Sequence, residues 1–449
     1  MTSYELITIG AGNAGIAAAS AAAKAGWKVA VIEGRDVGGT CPLRGCVPKK
    51  VLVAAAETLD TIARAGDHHI DVEPPRLDWA RLIERKQGFV AGVPEAFESS
   101  LAERGIDVIK GKARFVASHA VEVAGRELRA NKLVVATGSV PRPLPIDGVE
   151  HVITSDEILD LGEQPQSIVF LGGGVISMEF GHVLARAGTK VTILELLERP
   201  LVNFDADAVD RMVSFSRELG IDIVTNARPT AVEAHNGGFV VRAKVDGSER
   251  RFQANVVMNG AGRVAAVSDL NLDAANIDHD GNRVAVDGFL RSCSNPDVFF
   301  AGDSVAGRPQ LSPVATYEGR IVGHNLLHPD DLQVPSYTAV PSAVYTVPAL
   351  TQVGYSVARA RAEGLELDVV ENDMNSWRSA RMYAERRAYA KILIDRAADR
   401  IVGAHLLGHG AAETIHTFAL AIEHQIPASR LKDTVYAYPT FSSDIKYLL

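Results

Sequence analysis

Apolar positions along this chain follow two rhythms. Short apolar runs appear in YELITI (residues 4–9), WKVAVIE (27–33), SIVFL (167–171), KVTILE (190–195) and DVFF (297–300). Runs of this length next to turn residues predict strands buried in a parallel sheet. LVVATGS (133–139) reads as another buried strand ending in a tight turn, with further strands near 107–116. Between the runs, an alanine-rich stretch to about Gly26 and segments near 48–66, 78–104 and 311–325 predict helices. Strands alternating with helices place the first 330 residues in the α/β class. From about 336 the rhythm changes to short alternating strands, VPSAVYTVPALTQVGYS and AYAKILID, interleaved with helices near 356–363 and 411–423. That part reads as a separate α+β module. Residues 140–148, VPRPLPIDG, are rich in proline and read as a linker. The expected domains are 1–148 with 262–330, a second unit at 149–261, and a third at 336–449.

Both early strand-to-helix junctions are glycine turns. Gly10, Gly12 and Gly15 follow the first strand, with Asn13 and Ala14 between them. In such a turn the first glycine permits the bend, the second lets backbone approach a pyrophosphate, and the third lets helix pack on strand; the phosphates sit at the helix N-terminus. Glu33, at the end of the next strand, lies near the roughly 20-residue spacing at which a carboxylate accepts from a ribose. The pattern recurs at Gly172, Gly173 and Gly174, with Ser177 in place of the third glycine and Glu195 ending the following strand. Two such turns imply two nucleotides. A carboxylate at Glu195 accepts from a free 2′-hydroxyl and repels a 2′-phosphate, which favours NADH; nearby Arg199 leaves NADPH open.

Composition narrows the function classes. At 449 residues and a formal net charge of -9, the chain carries no electrostatic footprint for nucleic acid. No apolar run approaches the roughly 18 residues of a membrane span, and Ala14–Ala23 lacks the basic flank of a signal peptide. The three cysteines are too few for a secreted disulfide scaffold, so a reducing, cytoplasmic setting is expected. Cys41 and Cys46 stand in GGTCPLRGCVPKK; Cys293 reads as structural. On one continuous helix the pair would be roughly 7.5 Å apart in rise, too far to bridge unless Pro42 and Gly45 distort the first turn. A thiol is nucleophilic only as thiolate, and Arg44, Lys49 and Lys50 are cations placed to favour that form. The histidines at 405, 409, 416 and 424 show no metal-ligand spacing paired with cysteine, so no metal site is expected.

In this order the elements resemble the class I pyridine nucleotide-disulfide oxidoreductases, the flavoprotein family of dihydrolipoamide dehydrogenase, glutathione reductase and mercuric reductase. The most specific match is GGTCxxxGCxPxK at Gly38–Lys50, supported by both glycine turns, ATGS at 136–139, GAGR at 260–263 and AGD at 301–303. The resemblance implies two Rossmann-like domains and a C-terminal dimerisation domain that closes the partner's active site in a homodimer. It implies FAD on Gly10, Gly12, Asn13, Ala14, Gly15, Glu33, Gly39, Thr40, Ala113, Thr137, Gly138, Gly302, Asp303, Pro313 and Val314, with Asp303 on the ribityl chain. The nicotinamide nucleotide would lie on Gly172, Gly174, Val175, Ile176, Glu195 and Gly262. Cys46 would be the thiolate beside the flavin and Cys41 the sulfur that attacks substrate, while Lys50 and Glu179 match an ion pair beside the ring.

Three positions depart from the family. Val175 stands where an aromatic gate is common, Arg44 lies between the cysteines, and Tyr438 and Ser443 replace the family's C-terminal histidine and glutamate. General acid-base catalysis contributes about 10²- to 10⁴-fold, and tyrosine is a poor base near neutrality. Disulfides whose leaving thiol must be protonated are therefore expected to turn over slowly, and acceptors with acidic leaving thiols to suffer less. No cysteine pair after Phe441 could relay a metal ion. The expected activity is NAD(P)H-driven reduction of a small-molecule or small-protein disulfide. The alternatives are a cysteine-independent quinone or metal reductase, and a binding protein on a reductase scaffold.

Overall fold

One strand–turn–helix–strand unit is used twice. The computed structural model describes residues 2–449. Its first copy is β1 (Thr2–Ile9), α1 (Asn13–Lys24) and β2 (Val29–Glu33), followed by a short helix α2 (Thr40–Arg44) and a long one, α3 (Cys46–Ala63). The second copy is β3 (Ser167–Leu171), α4 (Val175–Arg186) and β4 (Lys190–Leu194); α5 (Ser312–Leu327) comes later. In both copies the strand leaves its sheet through a glycine in the left-handed region, Gly10 at φ +108° and Gly172 at φ +106°. A Cβ would lie 2.3 Å from Ala136 O at the first and 2.7 Å from Gly260 O at the second. Only glycine makes this turn here.

The chain divides into two compact units. The first comprises the chain up to Lys49, Glu84–Arg142 and Arg263–Ser336. Its seven-stranded sheet has β1 parallel to β2 on one side and to Arg126–Val135 on the other, and Val298–Phe300 extends the parallel part. Successive side chains feed opposite cores: Leu6, Val31 and Val134 pack with α1 and α5, whereas Ile7, Ile32 and Val135 pack on the other face with Phe115 and Phe300. A sheet covered on both faces needs continuous apolar runs rather than alternation, which is the pattern seen in YELITI.

The second unit comprises Lys50–Ile83, Pro143–Gly262 and Tyr337–Leu449. It holds a five-stranded parallel sheet containing β3 and β4, a three-stranded antiparallel meander over 227–254, and a five-stranded antiparallel sheet over 342–408. Helix Ala411–Glu423 packs on that last sheet through Ile415, Phe418 and Ala419. The expected class therefore stands, two Rossmann-like sheets with a C-terminal α+β part. Locally the structure differs from the sequence reading in two places. The helix expected over 78–104 is two helices, Trp79–Val90 and Val93–Glu103, broken at Gly92 with φ +76°. Part of the expected linker is strand: Ser139–Pro141 pairs antiparallel with Arg263–Ala265. Among the described residues no helix is long and apolar enough to cross a membrane.

Candidate active site

The cysteine pair sits where a helix breaks. α2 ends at Gly45, whose φ -140° and ψ -115° are far from helical, and Cys46 opens α3. A Cβ on Gly45 would lie 3.0 Å from Thr40 O and 3.4 Å from the Cys41 Cα, so the missing side chain lets the two turns close on each other. The distortion that Pro42 and Gly45 permit is thus realised, and the two thiols, both free, are hydrogen-bonded to one another.

Donors converge on Cys41. Its sulfur accepts from the Cys46 thiol, the Ser312 hydroxyl and the Cys46 backbone N–H, and Lys49 adds a positive charge. Against the opposing effect of burial, these lower the Cys41 thiol from 9.0 to about 6. Cys46 is raised, first because it donates to Cys41, then by burial and by the charge forming on Cys41. These surroundings favour charge on Cys41 in the reduced pair; the thiolate that the resemblance expects on Cys46 is the one beside a bound flavin. Of the three cations read from the sequence, Lys49 acts on the sulfur, while Arg44 is held by Asp36 at 3.2 Å and Lys50 by Glu57 at 2.9 Å. Alkylation of Cys41 in the reduced protein by iodoacetamide is accordingly expected to rise with a midpoint near pH 6, because only the deprotonated sulfur reacts. A midpoint at an ordinary thiol value, about 8.5, sinks this assignment. Peptide mapping separates Cys41 from Cys293, which is exposed rather than packed.

The two glycine turns have the same internal wiring. Glu33 accepts from Ala11 N at 2.8 Å and from Arg35 N at 2.7 Å. Glu195 accepts from Gly173 N at 2.6 Å and from Leu197 N at 2.8 Å. Each carboxylate is pinned at the end of its strand beside a helix whose N-cap, Gly12 or Gly174, is extended. That leaves first-turn N–H groups of α1 and α4 to meet an anion. Ser177 is fully buried, and a Cβ on Gly260 would lie 1.8 Å from its Oγ. The larger helix residue in this copy is accommodated by a glycine on the facing turn.

Motifs remote in sequence meet around Asp303. Ser139 Oγ donates to its carboxylate at 2.9 Å, while Arg263 donates to Ser139 through Nε at 2.9 Å and Nη2 at 2.6 Å. Gly302 N donates to Glu318 at 2.6 Å. Burial raises the Asp303 carboxyl, opposed by Ser139 and Arg263. Thr137 Oγ1 is buried without a partner among the described residues, which is a hydroxyl left for a ligand. Gly39 caps α2 ahead of Thr40, Ala113 opens a strand and is buried, and Pro313 and the buried Val314 lie in the first turn of α5. These residues fit a flavin dinucleotide; the Glu195 turn and the buried, unpartnered Nε of Arg199 fit a nicotinamide one.

Lys50 and Glu179 converge on Tyr345. The Lys50 Nζ lies 4.4 Å from the centre of the tyrosine ring, and Glu179, buried on α4, accepts from Tyr345 N at 2.8 Å. Val175 opens α4 and is 37% exposed; Ile176 follows it, and Gly262 ends the GAGR turn at φ +95°. Tyr438 is exposed, its hydroxyl accepting from Arg378 at 2.8 Å. Ser443 is buried in a turn, donating to Thr440 O at 2.6 Å. It is therefore a cap and not a partner for Tyr438. Sequence reasoning missed Ser139, Arg263, Ser312 and Tyr345 as individuals; the first two close motifs it did single out. Among the described residues no group of His, Cys, Asp or Glu could hold a metal ion.

Residues 4–319 match the family described as pyridine nucleotide-disulphide oxidoreductase, and residues 340–449 match its dimerisation domain. Similar proteins include a glutathione reductase of Burkholderia cepacia, 30% identical and covering 98% of this chain and 97% of that one. A dihydrolipoyl dehydrogenase of Chlamydia muridarum is 29% identical over 98% of this chain and 94% of its own. Among solved structures, the Cu(II) complex of the HOCl-induced flavoprotein disulfide reductase RclA from Escherichia coli matches with a TM-score of 0.89 at 29% identity, covering 100% of this chain and 99% of that one.

Proposed function

The chain belongs to the pyridine nucleotide-disulphide oxidoreductase family, FAD- and NAD(P)H-dependent enzymes acting on sulfur groups, and from that premise we propose that it reduces a small disulfide through Cys41 and Cys46. The observation that carries this reading is the helix break at Gly45, which brings Cys41 and Cys46 together within the motif that matches the family: a Cβ on Gly45 would lie 3.4 Å from the Cys41 Cα, and Cys46 opens the next helix. Bound FAD supplies the two-electron link between a nicotinamide and the cysteine pair. Residues of the first unit, from Gly10 to Val314, are its expected holders. The domain boundaries follow the same reading, with FAD on 1–148 and 262–330, NAD(P)H on 149–261, and 336–449 as the module that pairs two copies.

The chain's own residues perform the acceptor half. Cys41 thiolate attacks one sulfur of RSSR′, forming Cys41–S–S–R and expelling R′S⁻. Cys46, which has held its proton, gives it to R′S⁻ and becomes a thiolate. It then attacks the Cys41 sulfur, closing the Cys41–Cys46 disulfide and releasing RS⁻. The dithiol is oxidised and the substrate reduced, with one proton supplied internally. That proton answers in part for the missing histidine; because a thiol is a weak acid, acceptors whose acidic leaving thiols depart without being protonated remain favoured. The test is a thiol count. Addition of NADH to the oxidised enzyme without oxygen is expected to expose Cys41 and Cys46 to a thiol reagent; no gain at either sinks the reading.

NADH is the expected donor, because the Glu195 carboxylate, fixed by two backbone donors, repels a 2′-phosphate. About tenfold in kcat/KM, roughly 1.4 kcal/mol, is a modest effect for charges a few ångströms apart. A preference for NADPH overturns this assignment. Cysteine-independent reduction of a quinone or metal ion is a second reading, favoured by the exposure of Val175; turnover surviving alkylation of Cys41 supports it. The reading implies a homodimer in a reducing compartment, the cytoplasm, since a cycling pair must be kept from permanent oxidation.

A further inference from the structure

We propose that Tyr345 is a positioning residue for Lys50, its ring a fixed platform for the lysine ammonium. The inference rests on the reading of Lys50 as the cation beside the flavin, and it names what sets that cation in place. The Lys50 Nζ lies 4.4 Å from the centre of the Tyr345 ring, inside the roughly 6 Å at which a ring face attracts an ammonium. The ammonium also meets Glu57 at 2.9 Å. Glu57 lies about two helical turns further along α3 and its side chain is 49% exposed; a surface ion pair of this kind fixes little. The side chains that hold Tyr345 are buried.

Helix α4 grips the backbone around Tyr345 along one face. Glu179, His182 and Arg186 follow at spacings of three and four residues, which stacks them one above another on the helix. Tyr345 N donates to Glu179 Oε1 at 2.8 Å, Val347 N donates to His182 Nδ1 at 3.2 Å, and Arg186 Nη2 donates to Val347 O at 2.6 Å. A backbone N–H only donates, so Nδ1 is the acceptor and the neutral imidazole carries its proton on Nε2, which lies 2.9 Å from Ser216 Oγ. Burial, together with the charge of Arg186, keeps that imidazole neutral. Arg186 Nη2 also donates to Asp60 on α3 at 2.8 Å, and the two side chains are only 4% and 11% exposed. One buried guanidinium thus ties both the segment that bears the ring and the helix that bears the ammonium to α4. The ring is held by its backbone, whereas Lys50 has a flexible four-carbon stem, so the lysine settles on the ring.

The test reads Lys50 by carbon-13 magnetic resonance in the FAD-loaded protein, its lysines reductively methylated with labelled formaldehyde, which keeps their charge. The Lys50 signal is the one absent from Lys50→Arg. A ring face under the methylated ammonium shifts that signal upfield. Tyr345→Leu is expected to remove this contribution, and Tyr345→Phe, which keeps the face, to retain it. An unmoved signal in Tyr345→Leu overturns the proposal, and so do equal movements in the leucine and phenylalanine variants. Should the leucine variant fail to fold, the wild type carries the test: a nuclear Overhauser contact between the Lys50 methyl groups and the Tyr345 ring is expected, and its absence overturns the proposal. The two-electron potential of the bound flavin separates the two claims. With Lys50 beside the flavin, Tyr345→Leu is expected to lower the ratio of reduced to oxidised flavin at a fixed potential about tenfold, which corresponds to about 30 mV. If the Lys50 signal moves and the potential does not, the reading of Lys50 falls and its positioning by Tyr345 remains.

Discussion

Cys41→Ser is expected to lower reduction of disulfide acceptors by about 10³-fold or more, the scale of losing a covalent nucleophile. NADH should still bleach the visible absorbance of the bound flavin in the variant. The physical reason lies in the sulfur's surroundings. A serine hydroxyl at this position stays protonated near neutrality, so the donors from Cys46, Ser312 and the α3 terminus would surround a group that cannot use them. Cys46→Ser is expected to fail differently. Cys41 can still attack, but nothing expels the second thiolate, so a mixed disulfide should accumulate on Cys41 and be visible as a mass increment. Unimpaired disulfide turnover in Cys41→Ser would remove the dithiol from the mechanism.

Gly260→Ala carries the second large effect, on stability and nucleotide binding together. The added Cβ would lie 1.8 Å from Ser177 Oγ and 3.0 Å from Gly172 O, so α4 must move away from the turn that faces the nucleotide. Overpacking of this kind costs about 1–3 kcal/mol, and the urea midpoint should fall and KM for NADH rise. Ser177→Gly removes the obstructing atoms. The double variant is expected to recover most of the loss, apart from roughly 0.5–1 kcal/mol for a glycine inside a helix. A double-mutant cycle showing no coupling between the two positions refutes the account. In the first copy the sizes are exchanged: the helix carries Gly15, whose Cβ would meet Gly10 O at 2.0 Å, and the facing turn carries Ala136.

The sequence by itself determined what depends on local rules. Strand positions in YELITI and SIVFL follow from burial on both faces of a sheet, and the turns at Gly10 and Gly172 follow from a backbone angle that only glycine tolerates. Glu33 and Glu195 were legible because the length of one strand–helix–strand unit places the second strand's end beside the first strand's turn. The hinge between Cys41 and Cys46 was legible from Pro42 and Gly45. What only the tertiary structure decided are meetings between residues far apart in the chain. Asn13 meets Ser312 because α5 returns to α1; Ser139 and Arg263 join Asp303 because the two-stranded ladder of 139–141 with 263–265 packs on the turn that follows Val298–Phe300; Gly260 makes room for Ser177 across two strands. The same holds for charge. Arg44 and Lys50 look like allies of the thiolate in the sequence, but Asp36 and Glu57 hold them. Which sulfur is ionised depends on hydrogen-bond donors a few ångströms away, and those distances are set by packing rather than by spacing along the chain.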